Sequence, residues 1–177
     1  MSNDDVTQGE GRRGFFGWVA AGLAAVGAAL VGIPGLAFVV DPLLRGGGGT
    51  DRWFRLGPAE GIGKEPSPAP VVGDQVDAWT RAEDQVLGTV WLRRKEDGEL
   101  MALTAECPHL GCKIGLTDDG DMFTCPCHES GFGLDGEVLY GPSPRAMDPL
   151  EIRVVDGVVE VRFKRFKTQT EERIEVG

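Results

Sequence analysis

Two short segments hold most of the reactive side chains of this 177-residue chain. They are Cys107-Pro108-His109-Leu110-Gly111-Cys112 and Cys125-Pro126-Cys127-His128-Glu129-Ser130-Gly131. All four cysteines and both histidines fall within the 22 residues from Cys107 to His128. Any chemistry that needs imidazole must pass through His109 or His128. Two soft thiolates and two imidazoles at C-x-H and C-x-x-H spacing can ligate a metal. Cys112 and Cys127 are left over, one in each loop, and could bridge the loops by a disulfide. Such a bond implies an oxidising compartment. Two metals suit the set. Zinc accepts Cys₂His₂ in an inert tetrahedral site. A [2Fe–2S] cluster takes two Cys on one iron and two His on the other, and it exchanges electrons.

The elements around the two boxes read as mainly β. Glycine is abundant, at 27 residues, with 11 prolines, which favours turn-rich strands over a helical bundle. Val86 to Arg93 and Leu100 to Ala105 are apolar runs around a Lys-Glu-Asp-Gly turn (Lys95 to Gly98), the pattern of a hairpin. Leu150 to Val155 and Val158 to Phe163 flank Asp156-Gly157, which predicts a type I′ hairpin. Glu65 to Pro70 (EPSPAP) is expected as a proline-rich loop, and 164–177 as a loose polar tail with at most one short ordered stretch. Eighteen Lys and Arg against 28 Asp and Glu give a net charge of −10, which argues against nucleic acid as a partner.

The N-terminal part is of another kind. From Gly14 to Val40 there are 27 residues without a charge, about 40 Å as a helix at ~1.5 Å per residue. That length crosses a bilayer core of roughly 30 Å with some tilt. It exceeds the apolar region of a cleaved signal peptide, so residues 14–40 are expected as an uncleaved anchor. Ala20, Ala24 and Ala28 lie four apart and offer a small-residue face to a neighbouring helix. Pro34 is expected to kink the distal third. Arg12-Arg13 stands just before the anchor, so residues 1–13 read as a cytoplasmic segment with a twin-arginine export signal. The head then lies on the outer side. Between anchor and head, 41–52 contains Arg45-Gly-Gly-Gly-Gly-Thr-Asp51, a flexible tether that would let the head swing.

The two boxes, C-x-H-x-G-C and then C-x-C-H-x-S-G after twelve residues, closely resemble those of the Rieske iron–sulfur family. The resemblance implies an antiparallel β-sandwich head over 53–163 with a cluster-binding subdomain and one [2Fe–2S] cluster. It implies Cys107 and Cys125 on one iron, His109 and His128 on the other, and a Cys112–Cys127 disulfide. The extra cysteine pair sets the chain apart from Rieske ferredoxins and ring-hydroxylating oxygenases and aligns it with the quinol-oxidising respiratory type. Gly141-Pro142-Ser143-Pro144 resembles that group's Gly-Pro-x-Pro loop. The implied role is one-electron transfer from quinol to a c-type cytochrome beside a cytochrome b subunit. The setting would be a dimeric complex in the cell membrane, with or without a terminal oxidase in a supercomplex. His128, with His109 beside it, would contact quinol and accept its proton, and Leu110 would lie at the docking tip. Rieske small subunits of arsenite-oxidase-like molybdenum enzymes have similar boxes and are the second resemblance.

Two positions depart from the family pattern. Ser130 is present, but Phe132 stands where the respiratory type often has a Tyr that donates to a ligand sulfur. Glu129 stands where Gly is usual. Fewer donors and an added negative charge both lower the reduction potential. That direction suits menaquinol, a stronger reductant than ubiquinol.

Overall fold

A computed structural model describes residues 7–44, 52–77 and 80–176, in two separate units. The first is a single helix, α1 (Thr7–Leu44), longer at both ends than the uncharged stretch and continuous through Pro34. Its segment Gly11–Asp41 is long and apolar enough to cross a membrane, and large side chains such as Trp18, Leu23, Leu30 and Leu36 are exposed along it. It is the chain's membrane anchor. Residues 41–44 of the expected tether belong to the helix. The glycine run itself lies outside the described residues.

The second unit is a β head. Its base is a six-stranded antiparallel sheet of β1 (Trp53–Pro58), β2 (Ser67–Asp77), β3 (Thr80–Arg94), β4 (Leu100–Thr104), β9 (Pro149–Val155) and β10 (Val158–Arg162), in the order β1-β10-β9-β4-β3-β2. A four-stranded sheet of β5 (Gly115–Leu116), β6 (Phe123–Cys125), β7 (Ser130–Phe132) and β8 (Val138–Tyr140) is inserted between β4 and β9. Both expected hairpins form. Asp156 and Gly157 have φ of 50° and 76°, the two left-handed residues that a type I′ turn requires.

Strand periodicity explains how one sheet serves two cores. Successive side chains on a strand point to opposite faces. Val90 and Leu92 of β3, with Ala102 of β4, pack into an aliphatic core with Val71, Leu150, Val159 and Val161. Trp91 and Leu103, cross-strand partners on the opposite face, pack into a second core with Ile114, Phe123, Phe132, Met147 and the thiols Cys107 and Cys125. The inserted sheet is thus built on the back of the base. The Trp91 indole Nε1 donates to the Ile114 carbonyl at 3.2 Å and fixes that junction.

Two expectations are corrected. Ser67 to Pro70 are not loop but the start of β2, where Pro68 and Pro70 pair with Trp91 and Thr89. β2 ends the sheet, and an edge strand tolerates residues that cannot donate to a ladder. The polar tail is folded as well. β11 (Arg165–Phe166) pairs with β12 (Glu175–Val176), and the turn between them bonds to the rest of the head. Phe166 packs against the base core, but most of the hairpin's other contacts come from charged and hydroxyl side chains and from the backbone, so a hydropathy reading overlooks it.

Candidate metal centre

The site is built from three loops of the inserted subdomain. The first box leaves β4 and closes on itself, with the Cys107 N–H donating to the Cys112 carbonyl at 2.8 Å and the Gly111 N–H to the Cys107 carbonyl at 2.8 Å. Gly111 has φ 76°, the left-handed conformation that lets so short a loop turn. The second box is the turn between β6 and β7. Glu129 adopts φ 56° there, a left-handed conformation that costs a non-glycine residue about 1–2 kcal/mol. The third loop is Gly141 to Pro144. Gly141 (φ 97°) presses on the second box, where an added Cβ would lie 2.5 Å from Ser130 Cα and 2.6 Å from the Glu129 carbonyl oxygen.

These loops gather the side chains singled out from the sequence. Cys112 and Cys127 form a disulfide, S–S 2.08 Å, joining the first box to the second. Cys107 and Cys125 remain free and are buried, at 1 % and 2 % exposure. The Cys125 sulfur lies within 4.8 Å of both disulfide sulfurs. The His109 and His128 rings meet edge to face, centroids 4.8 Å apart, His109 half-buried and His128 exposed. The site is therefore polarised, with thiols inward and imidazoles outward. Leu110 beside them is exposed.

Burial chiefly, with the neighbouring Cys125, pushes the Cys107 thiol up to about 11, against the backbone N–H groups of His109 and Leu110 that point at its sulfur. Without a metal, Cys107 stays protonated at neutral pH. Ser130 Oγ is buried with no hydrogen-bond partner among the described residues, although an unpaired buried hydroxyl costs about 1–3 kcal/mol. Phe132, two residues on along β7, shares the face of Ser130 and is fully buried. Tyr140 covers the opposite face at Gly131.

Residues 66–159 match the family model of the Rieske [2Fe–2S] domain. The chain belongs to the Rieske iron–sulfur family. This Rieske protein is 33 % identical over 150 residues to the menaquinol:cytochrome c reductase iron–sulfur subunit of Geobacillus thermodenitrificans, covering 82 % of this chain and 87 % of that one. The subunit of the same name from Bacillus subtilis (strain 168) is 32 % identical over the same shares. The cytochrome b6-f complex iron–sulfur subunit of Prochlorococcus marinus (strain MIT 9312) is 30 % identical over 170 residues, 92 % of this chain and 89 % of its own. The cofactor of a Rieske protein is a [2Fe–2S] cluster, and the site fits it: two buried free thiols, two imidazoles at the rim and an orphaned hydroxyl that a cluster sulfur would satisfy.

Sequence reasoning missed three residues beside this centre. Asp148 accepts from Arg145 (Nε 2.8 Å, Nη2 2.7 Å) and from Arg173 (Nε 2.9 Å), in a pair with Arg145 that is buried on both sides. The available signal was an Arg and an Asp three apart, Arg145-Ala-Met-Asp148, directly after the proline loop.

Proposed function

We propose that this chain is the electron-transfer subunit of a membrane quinol:cytochrome c oxidoreductase, taking one electron from menaquinol and passing it to a c-type cytochrome. When bound, the cluster supplies a one-electron acceptor. Cys107 and Cys125 would hold the inner iron, and His109 and His128 the outer. The observation that carries this reading is the polarity of the site, with sulfur ligands buried and paired imidazoles at the surface. An imidazole nitrogen left free by ligation can accept a hydrogen bond from a quinol hydroxyl and take its proton. His128, the more exposed of the two, would be the contact, with Leu110 beside it against cytochrome b. Ser130 Oγ would donate to a cluster sulfur and stabilise the reduced state. The menaquinol assignment is supported by the names of two relatives and by Phe132 and Glu129, both of which act to lower the potential.

In this reading the N-terminus is cytoplasmic, Arg12-Arg13 directs twin-arginine export, and the head works on the outer side within a dimeric complex. Residues 46–49 would let the head travel between quinol and cytochrome. Replacing them with prolines should slow turnover without changing the cluster spectrum, and unchanged turnover would show that no travel is needed.

The deciding experiment is purification of the complex in mild detergent. A Rieske-type electron spin resonance signal, acid-labile sulfide and co-purifying haem b are expected. Zinc in place of iron would sink the cluster assignment. A molybdenum protein in place of haem b would sink the quinol complex.

A further inference from the structure

We propose that the C-terminal hairpin tunes the cluster potential by orienting one peptide group, acting from Asp148 and Arg173 through Gln169 to the peptide between Pro108 and His109. This rests on the ligand assignment above. The hairpin meets the centre at two places. At one, Asp148 receives the Arg145 and Arg173 guanidinium groups, and Arg145 Nη1 also donates to the Thr170 carbonyl at 2.6 Å and hydroxyl at 3.2 Å. At the other, the Gln169 N–H donates to the Pro108 carbonyl at 2.9 Å.

The second contact has a chemical consequence. The Pro108 carbonyl and the His109 N–H belong to one planar peptide. The His109 N–H points at the Cys107 sulfur. The hairpin's bond on the oxygen side therefore fixes the plane that aims the donor at the sulfur. Hydrogen bonds in series also polarise one another, strengthening each by ~10–30 %. Donors to ligand sulfur favour the reduced, more negative cluster and raise its potential.

The first contact holds the second in place. Gln169 adopts φ 60°, a conformation that a non-glycine side chain disfavours and that its surroundings must impose. Thr170, the next residue, is the one Arg145 grips, and its hydroxyl donates to the Glu172 carbonyl at 2.8 Å. Ser143 of the proline loop donates to the Arg145 carbonyl at 2.8 Å. The charged cluster thus links the proline loop to the turn that reaches the first box. A buried ion pair is weak evidence for net stability, and in this proposal its role is to fix geometry.

The test uses the full chain in its detergent-solubilised complex. Midpoints are read by redox titration of the electron spin resonance signal, and unfolding by circular dichroism. Arg173→Gln and Asp148→Asn should lower the midpoint while cluster content stays at the wild-type level. Arg173→Lys should recover most of the shift. Gln169→Gly keeps the N–H and accepts the left-handed φ, so it should leave the midpoint in place. Exchange of the Gln169 amide should speed up about tenfold or more in Arg173→Gln, as local opening requires. The Arg173 side chain is 41 % exposed, so this variant folds even where Asp148→Asn does not. Lower thermal stability with an unmoved midpoint in Arg173→Gln would overturn the proposal and leave the hairpin a structural brace only. A wild-type complex without a Rieske signal would instead overturn the ligand assignment beneath it.

Discussion

The two sheets of the head are held together by different physics. The fully buried base core consists of Val, Ile, Leu and Ala side chains, rimmed by Phe54, Phe163 and Phe166, mostly on strands as long as 15 residues. The inserted sheet has strands of two or three residues, too short to stand alone, and its core mixes Trp, Phe and Met with two free thiols. Its loops are tied by specific links: the Cys112–Cys127 disulfide, the Arg145–Asp148 pair, and Arg93 of β3 reaching Asp135 at 3.2 Å. Apolar alternation suffices where the sheet only has to exist. Where atoms must stay in fixed relation around a cofactor, cross-links are added to burial.

Cutting the strongest link should separate the two regions most sharply. Cys112→Ser removes a bond whose 15-residue separation corresponds to roughly 3 kcal/mol of loop entropy. The visible spectrum of the cluster should decay at least tenfold faster, while the far-ultraviolet signal of the base persists. A full and stable cluster in this variant would show that the other links suffice. The converse is Leu92→Ala, in the base core. It should lower global stability by about 2–5 kcal/mol in denaturant titration and leave the resonance signal of the folded protein unchanged.

Smaller effects probe the inserted sheet alone. Phe132→Tyr adds a hydroxyl on the face of β7 that carries Ser130. It should raise the midpoint on the order of tens of millivolts, where ~59 mV is a tenfold change for one electron. Ser130→Ala should move it down by a similar amount. Film voltammetry on the head reads both, and an unmoved midpoint in Phe132→Tyr would mean the ring does not face the cluster. Glu129→Gln should raise the potential least, because the side chain is exposed and its charge is screened by solvent. Comparison with Glu129→Gly separates this charge effect from relief of the left-handed backbone, which should appear in thermal stability.

The sequence showed the centre more plainly than it showed the supports of the centre. Cysteine and histidine are rare in this chain, so their spacing stood out, and the disulfide, the thiol pair and the facing imidazoles all appear in the structure. Alternating apolar residues and Asp156-Gly157 located the base hairpins for the same physical reason that they form. The start of β2 was hidden because Pro68 and Pro70 read as loop unless one knows that the strand is an edge. The C-terminal hairpin was hidden because its contacts pair residues far apart in sequence, Arg145 with Thr170 and Pro108 with Gln169. Local composition carries no trace of such pairings.

The insertion point of the small sheet has a consequence for assembly. β4 and β9 are direct neighbours, with Ala102 opposite Leu150 and Leu103 opposite Pro149, and the Thr104 N–H donates to the Asp148 carbonyl at 2.9 Å. Residues 105–148 are therefore a closed ring as soon as the base has formed. The entropy of bringing the ring's ends together is borne by the base ladder, and it grows only slowly with ring size. What happens inside the ring, including oxidation of its cysteines and arrival of its iron, can follow folding of the base without undoing it. The topology thus separates closure of the base from maturation of the ring it carries.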